Sequence, residues 1–424
     1  FSSMLTFEEE VGGIDGIRVC RNAPSVSQLL FADDSRILMR ADAMNATSLQ
    51  NVLDTYCASS GQMVSLAKSS IFFSPNTSVV SKAEISQILH IDTKALSDKC
   101  LGLLAIVGAD KSDCFRHFVD RIKARLIGWM EKQLSIGGKE ILLKSVAQAI
   151  TVFAMTDFSL PKGICKVITD IIAQFWWGDD KEHKKMHWMA WWMLCIPKNE
   201  GGMGFHDLYS FNLAMLAKQC WRLITNPDSL VAKVLKAKYY PNGTLLDATP
   251  KNGSSFTWQS ILKGLDTFKK GYIWRIGTGE DVNILMDPWI PSSSDMKVIT
   301  PRGQSIITRV CELIDPVTGE WDEQLLQSLF YHVDVRRILQ IPLNTHAFED
   351  FIAWHYDTKG LFSVRSAYRV HRSMSSSGNS EVQAGSMAGS NWRGAVWSKL
   401  WKITCPGKVH HFMWRFGHNS HPLH

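Results

Sequence analysis

Hydrophobic residues between positions 110 and 240 recur at the spacing of amphipathic helices. The first such pattern consists of Phe115, Phe118, Val119, Ile122 and Leu126, which fall at i, i+3, i+4 and i+7 positions. A second begins at Pro161 and ends before Gly178. Further helices are predicted over residues 208–223 and 230–238, and the Gly137-Gly138 pair is expected to separate two helices. The middle of the chain is therefore predicted to be a helical region.

The first forty residues follow a different pattern. Two short stretches with an apolar bias, residues 25–31 and 35–39, flank Ala32-Asp33-Asp34. Short apolar-biased stretches around a compact polar segment are typical of a β-hairpin, here with two adjacent acids at its turn.

A helix and a strand pair are predicted to follow the hairpin. Residues 41–59 have helical spacing, with Asn45 or Thr47 available as the N-terminal cap, and Gly61 ends the pattern. Residues 62–73 are predicted as a strand pair. The first hundred residues would then form a small sheet with helices on one face.

Composition narrows the class of protein. A chain of 424 residues is expected to form two or three packed units, and its net charge of +6 permits a polyanionic partner without establishing one. Its 16 tryptophans indicate aromatic cores or stacking surfaces. The 9 cysteines form no C-x-x-C pair, so we expect no disulfide framework and a reducing, intracellular setting. No apolar run approaches the roughly 20 residues of a membrane span, so no membrane partner is expected.

The adjacent acids at positions 33 and 34 have two interpretations. Nucleotidyl transfer uses two divalent cations about 3.5–4 Å apart, and Mg²⁺ prefers carboxylate oxygens. A rigid hairpin could present such oxygens to a nucleic acid. Alternatively, the acids simply solvate a turn, and the dipeptide alone favours this second interpretation.

Three blocks in the first part of the chain favour the first interpretation. They are Leu29-Leu30-Phe31-Ala32-Asp33-Asp34-Ser35, the segment Tyr56-Cys57-Ala58-Ser59-Ser60-Gly61-Gln62-Met63-Val64-Ser65-Leu66-Ala67-Lys68-Ser69, and Lys99-Cys100-Leu101-Gly102-Leu103. In order and approximate spacing they resemble successive blocks of plant LINE-type (non-LTR) retrotransposon reverse transcriptases. The resemblance implies that Asp33 binds Mg²⁺ and that Asp34 supports it. It also implies that Lys68 lies near the incoming phosphates and Gly102 near the primer end, although the residue type alone favours an exposed structural lysine at position 68.

The helical region also resembles this family. The matching blocks are Leu134-Ser135-Ile136-Gly137-Gly138-Lys139-Glu140, Phe175-Trp176-Trp177-Gly178, His187-Trp188 and Pro197-Lys198-Asn199-Glu200-Gly201-Gly202-Met203-Gly204-Phe205. Arg121 and Arg125 fall on one side of the first predicted helix, where they would track a phosphate backbone or simply solvate the helix. The resemblance favours nucleic-acid binding by a thumb-like region. The Gly201–Gly204 segment lacks the Gly-Lys-Ser/Thr ending of a phosphate loop and is predicted to be a turn.

The last part of the chain resembles the opening of the zinc-binding reverse-transcriptase domain, on residues 362–368 and 397–415. In that family the cysteine and histidine ligands come later in the sequence. Cys405 with His410 or His411 supplies only two ligands, so no zinc is expected in this chain. Residues 373–391, rich in Ser, Gly and Asn, are predicted to be a flexible linker.

The predicted fold class is α+β. The expected organisation is a partial polymerase palm (a β-hairpin plus helix) at 1–108, a mainly helical thumb-like region at 109–240, a connecting region at 241–361 and a truncated zinc-binding reverse-transcriptase domain at 362–424.

The function implied by the resemblance is that of a fragment of an RNA-directed DNA polymerase. The intact protein would use Mg²⁺ and deoxynucleotides to copy an RNA template from a DNA primer by two-metal nucleotidyl transfer. Because the family's other catalytic Asp and its fingers precede the matched blocks, we expect this chain alone not to polymerise DNA, and its status as an enzyme is left open. The alternatives are a non-catalytic nucleic-acid-binding module and a degenerate relic. The family's integration into chromosomes allows a nuclear location.

Overall fold

The computed structural model describes residues 1–91, 99–100, 103–104, 108, 110–130, 134–178, 185–302, 306–343, 348–377 and 391–420. The chain divides into two compact units: unit 1 comprises Phe1–Asp110 with Leu223–Lys251, and unit 2 comprises Lys111–Arg222 with Asn252–His424. Helices predominate in the described residues, accompanied by two-stranded antiparallel sheets. The predicted α+β class is confirmed.

The longer helices and the strands have the following bounds. The helices are α1 (Ser2–Glu10), α2 (Ala43–Ser60), α3 (Val79–Leu89), α4 (Lys111–Met130), α5 (Ile136–Leu142), α6 (Val152–Asp157), α7 (Lys162–Trp177), α8 (Trp191–Leu194), α9 (Leu208–Thr225), α10 (Leu230–Tyr239), α11 (Phe256–Phe268), α12 (Glu323–Leu329), α13 (His332–Leu339), α14 (Val364–Ser377), α15 (Asn391–Leu400) and α16 (Gly407–Gly417). The strands are β1 (Gln28–Phe31), β2 (Asp34–Ile37), β3 (Lys99–Cys100), β4 (Leu103–Leu104), β5 (Tyr272–Arg275) and β6 (Phe351–Trp354).

The predicted hairpin is present in unit 1. β1 and β2 pair antiparallel with Phe31 opposite Asp34, which leaves Ala32 and Asp33 as a two-residue turn. Ala32 has a φ of 49°, in the left-handed region that strains any residue with a side chain. The two-residue turn therefore requires Ala32 to adopt a strained, left-handed backbone conformation.

The helix after the hairpin begins later than predicted. Asp42 is its N-terminal cap, and its carboxylate accepts a 2.9 Å hydrogen bond from the backbone N–H of Asn45. The expected cap at Asn45 or Thr47 is therefore wrong. The Asn45 side chain is buried instead, where its oxygen accepts a 2.6 Å bond from the N–H of Asp15. Gly61 ends α2 in the left-handed conformation, as the sequence predicts.

The strand pair predicted over residues 62–73 is wrong. A 3₁₀ turn, Leu66–Lys68, and an isolated bridge residue, Ile71, take its place in the described chain. Residues 62–68 are exposed, so this segment has no buried face of the kind that stabilises a strand. The core of unit 1 instead joins α1, α2 and α3. Its buried members are Leu5, Ile14, Ala46, Leu49, Val52, Ile85 and Leu89.

The helices of unit 2 follow the sequence pattern closely. The apolar face of α4 is buried and α4 packs against α7. α7 follows Pro161 and ends at Gly178, which adopts the left-handed conformation with a φ of 80°. The Gly137-Gly138 pair, however, does not separate two helices. It lies in the first turn of α5, where the Ser135 hydroxyl caps the helix by accepting a 3.2 Å bond from the N–H of Gly138.

A buried carboxylate joins three segments of unit 2. Glu140, in α5, is 8% exposed. Its oxygens are bound by Lys144 Nζ at 2.6 Å, Lys198 Nζ at 2.7 Å and His411 Nε2 at 3.3 Å. Burial raises the pKa of Glu140, but the three hydrogen bonds, led by that of His411, outweigh it and lower the pKa from 4.5 to about 2. Burial also lowers the pKa of Lys144, which offsets part of this stabilisation.

The turn around Gly201 receives α15 and α16. The carbonyl oxygen of Gly201 is hydrogen-bonded to Trp414 Nε1 at 2.8 Å and to His418 Nε2 at 2.7 Å. Gly201 has a φ of 97°, and a Cβ there would lie 2.9 Å from Trp397 Nε1. Glycine is thus required by both its conformation and the close approach of the tryptophan. The segment is a turn, as predicted, and it serves as a docking point for the last helices.

A second carboxylate organises the region between residues 272 and 354, where β5 pairs with β6. Asp350 accepts hydrogen bonds from the backbone N–H groups of Gly277 (2.6 Å), Gly279 (2.9 Å) and Asp281 (2.9 Å). A Cβ at Gly277 would lie 2.0 Å from the carbonyl oxygen of Phe348. The Gly-x-Gly pattern therefore builds a tight loop whose donors are already used.

The segment predicted to be a linker is helical at its beginning. Its first five residues, 373–377, form the end of α14, and residues 378–390 lie outside the described residues. Among the helices that the structure describes, none is both long enough and apolar enough to cross a bilayer.

Removing the Glu140 carboxylate is expected to destabilise unit 2. Glu140→Ala leaves the half-buried Lys144 and Lys198 without their carboxylate, and breaking such a cluster costs up to about 3–5 kcal/mol. Tryptophan fluorescence during urea unfolding measures unit 2 selectively, because all 16 tryptophans fall within its ranges. The exposed Glu200→Ala on the neighbouring turn is the control and should cost no more than about 0.5 kcal/mol. Equal losses for both variants would contradict the assignment.

The same carboxylate predicts a pH dependence. Because the pKa of Glu140 is lower in the folded protein, its contribution is fully present above pH 4.5 and is lost as the pH falls towards 2. The unfolding free energy of the Glu140→Gln variant should therefore fall less steeply with acid over this interval than that of the wild type. If the unfolding free energies of the two proteins fell in parallel with pH, the cluster would not lower the pKa of Glu140.

Asp350 is expected to be needed for the loop at Gly277. Asp350→Ala deprives three N–H groups of a charged acceptor, for an expected loss of about 2–4 kcal/mol in the unfolding free energy. Asp350→Asn keeps one acceptor oxygen and should lose about half as much. The exposed Glu320→Ala serves as the control, again followed by tryptophan fluorescence. A stable alanine variant would show that the loop holds its shape without this carboxylate.

Candidate functional site

The paired acids stand at the exposed tip of the first hairpin. Asp33 occupies the turn, and Asp34 is the first residue of β2. Both are exposed, and within the described residues neither side chain makes a hydrogen bond or an ion pair. Their carboxylates are therefore available to a ligand from outside.

Two hydrogen bonds attach the base of this hairpin to α1. Gln28 Nε2 donates to Thr6 Oγ1 at 3.1 Å, and Ser27 Oγ donates to Glu9 Oε2 at 2.5 Å. These contacts fix the start of β1, and the short turn then fixes the tip. The acids thus lie on a strand pair that is attached to α1, and this strand pair forms no hydrogen bond with their carboxylate oxygens.

The acid pair fits part of a magnesium site. Mg²⁺ is usually bound through one or two carboxylates, and substrate phosphates and water complete its shell. Asp33 and Asp34 supply that number. Across the described residues, no group of three or more His, Cys, Asp or Glu side chains is close enough to hold a metal ion. The hairpin is therefore suited to share a metal with a phosphate ligand and unsuited to enclose one alone.

The other predicted site residues are spread over both units. Lys68 ends the 3₁₀ turn of unit 1 and is exposed, and in the described chain it forms no ion pair with Asp33 or Asp34. Gly102 lies outside the described residues. Arg121 and Arg125 are exposed on α4, which belongs to unit 2. The structure thus places the two acids side by side, and the roles of all these residues remain predictions.

The histidines near Cys405 have other partners. His411 Nε2 is bound to Glu140, and His410 Nε2 lies 2.9 Å from the carbonyl oxygen of Ile403. These two ring nitrogens are therefore engaged within the fold.

A group of cations that the sequence did not indicate gathers near Gly178. Lys139, Lys185 and Arg415 belong to three separate segments, and the ammonium groups of both lysines lie close to Gly178. No local spacing connects these positions, so periodicity could not reveal them. The one signal was the Phe175-Trp176-Trp177-Gly178 block, which marks the helix end where they meet.

Comparison with known proteins places the chain among plant relatives. No family model matches it. It is 31% identical over 317 residues to an Arabidopsis thaliana protein named as a putative ribonuclease H protein, covering 73% of this chain and 48% of that protein. The chain thus spans about half the length of this relative.

A second relative is shorter and is covered almost completely. It is an uncharacterized mitochondrial protein of Arabidopsis thaliana, 36% identical over 143 residues, which make up 34% of this chain and 93% of that protein. The chain therefore belongs to the same family as this mitochondrial protein, and the family is related to retroelements.

Proposed function

We propose that the chain is the part of a non-LTR retrotransposon reverse transcriptase that carries the paired-aspartate hairpin and the regions after it. The observation that carries this proposal is the pair of exposed carboxylates on a supported hairpin tip. Retroelement-related relatives support the lineage. RNA-directed DNA polymerisation is proposed for the longer protein and not for this chain alone.

The hairpin's own residues would contribute binding and orientation. Asp33 would hold Mg²⁺, and Asp34 would support it from the first position of β2. Magnesium, when bound, supplies charge neutralisation at the phosphates during nucleotidyl transfer. Because the strand pair is attached to α1, the carboxylates keep a fixed position while the primer and nucleotide approach.

The exposed apolar side chains of β1 favour the proposal that the hairpin belongs to a larger palm. Leu29, Leu30 and Phe31 are 46%, 41% and 63% exposed. Consecutive exposed apolar residues on an edge strand are a site where another strand can pair and cover them. A palm sheet in the longer protein would provide such a strand, together with the further catalytic aspartate that the family uses.

Nucleic-acid binding without catalysis is the second candidate. Arg121 and Arg125 are one helical turn apart on α4, both exposed, and they flank its buried face. In the described residues neither arginine forms an ion pair with a carboxylate. They are therefore suited to follow the phosphates of a template–primer duplex, whether or not the hairpin is active.

The Asp33→Asn change is expected to lower primer extension on an RNA template by more than about a hundredfold, because it weakens the metal ligand. Asp34→Asn should cost about 10- to 100-fold, as expected of a supporting group. Both are measured with Mg²⁺ in a longer protein that includes these residues. Asp54→Asn, an exposed acid of α2, is the control. Full activity of Asp33→Asn would refute the assigned role, and extension by this chain alone would refute its expected inactivity.

Replacing Arg121 and Arg125 by alanine is expected to weaken duplex binding without a preference among sequences. The slope of log affinity against log salt should shrink by about one for each phosphate contact removed. Fluorescence anisotropy with a labelled RNA–DNA duplex measures this slope. Arg116 and Lys123 lie on the opposite flank of the same helix and provide the control pair, in which Arg116 is ion-paired with Asp113 at 3.6 Å. If both pairs of substitutions weakened binding equally, duplex binding would depend on net charge and not on one face of α4.

A further inference from the structure

The C-terminal end of α7 collects positive charge from three segments. Lys139 Nζ, from α5, donates to the carbonyl oxygen of Phe175 at 3.2 Å. The Nζ atoms of Lys139 and Lys185 lie 3.6 and 3.5 Å from the point where a Cβ at Gly178 would be. The Arg415 guanidinium, from α16, lies 5.8 Å from the centre of the Trp177 ring. The three cations therefore share one helix end.

These three cations repel one another. Burial lowers the pKa of Lys139, and the charges of Lys185 and Arg415 lower it further. Burial also lowers the pKa of Arg415. Within the described residues, neither Lys139 nor Arg415 is paired with a carboxylate. An arrangement of like charges costs free energy, which a bound anion would offset.

Helix capping explains only part of this cluster. The carbonyl groups at a helix C-terminus favour nearby cations, and the bond from Lys139 to Phe175 is such a contact. Arg415 makes no side-chain hydrogen bond in the described chain and instead faces the ring of Trp177. Its half-buried guanidinium thus retains donors that the fold does not use.

A cleft of about 370 Å³ lies along the same helix end. It is lined by Thr169, Asp170, Ala173, Gln174, Trp177, His187, Met189, Ala190 and Trp191. The rings of Trp177 and His187 are close to parallel, with centres 6.0 Å apart and an angle of 24°. Gln174 adds a polar edge. The volume is at the small end of ligand sites, which are about 300–1,000 Å³, and it suits one planar ring.

Trp177 belongs to both features, since it lines the cleft and carries Arg415 on its ring. Basic side chains beside aromatic rings are the combination that binds single-stranded nucleic acid, where an unpaired base stacks and its phosphate is neutralised. A duplex would not present a base to this cleft, because its bases are stacked inside the helix. The charge and the shape therefore favour a single strand.

We propose that this cleft binds one unpaired nucleotide of a single-stranded nucleic acid. The base stacks on the exposed ring of His187, which itself lies against the buried Trp177, and its phosphate lies beside Lys139, Lys185 and Arg415. The site extends the proposed function. It rests on that function in one respect, the choice of a nucleic acid as the polyanion that binds. It is separate from the duplex contact assigned to α4.

Binding of a labelled single-stranded DNA of about ten nucleotides to the full chain tests the cleft by fluorescence anisotropy. Arg415→Gln and Lys185→Gln should each weaken binding about fivefold and reduce the salt slope by about 0.7. His187→Ala should weaken binding at least about fivefold with the salt slope unchanged, because it removes stacking and no charge. Asp170→Asn should strengthen binding, since it removes an acid from the cleft wall.

Lys359→Gln is the matched control, because this lysine is exposed in the same unit and should leave binding unchanged. Thermal unfolding by tryptophan fluorescence verifies the fold of every variant. If Arg415→Gln unfolds, the exposed His187→Ala and Asp170→Asn still decide the question. The proposal is overturned if the chain does not bind the strand, if cleft variants match Lys359→Gln, or if they weaken duplex binding as strongly as single-strand binding.

Primer extension by the longer wild-type protein reports on the proposed function independently. A protein that extends primers and does not bind single strands through this cleft would overturn the cleft alone. A protein that binds single strands through the cleft and does not extend primers would refute the polymerase assignment and leave the cleft standing.

Discussion

The buried carboxylate of Glu140 is the interaction on which the arrangement of unit 2 depends. A charge removed from water must be matched by donors, or the fold loses several kcal/mol. Here the donors come from the helical turn directly after α5, from the turn before Gly201 and from α16. Segments more than 200 residues apart in sequence must therefore assemble together, since Glu140 without His411 or Lys198 would be an incompletely paired buried anion.

The same constraint accounts for the contacts of the glycine-rich turn. Lys144 binds Glu140 and also donates to the carbonyl oxygen of Met203 at 2.6 Å, so one ammonium group joins α5 to the turn. The Gly201 carbonyl is occupied by Trp414 and His418. The polar groups of this block serve the docking of the last helices, a structural role that the residue types alone did not reveal.

Local information determined what could be predicted from the sequence. The periodicity of α4 and α7 and the hairpin at Asp33 are short-range features, and the structure contains them. The cap at Asp42 was missed because Asn45 is an equally good cap by type, and only its burial against Asp15 excludes it. The cluster at Glu140 and the cations near Gly178 depend on contacts between distant segments, which periodicity cannot detect.

The carboxylates of this chain differ in what the fold requires of them. Asp350 and Gly277 are explained by the loop that they close, because each has partners or neighbours that exclude other residues. Asp33 and Asp34 have no such explanation: their side chains bond to nothing among the described residues, and the turn already tolerates strain at Ala32. Because their carboxylates add no contact to the described fold, the proposed metal ligand would account for them where packing does not.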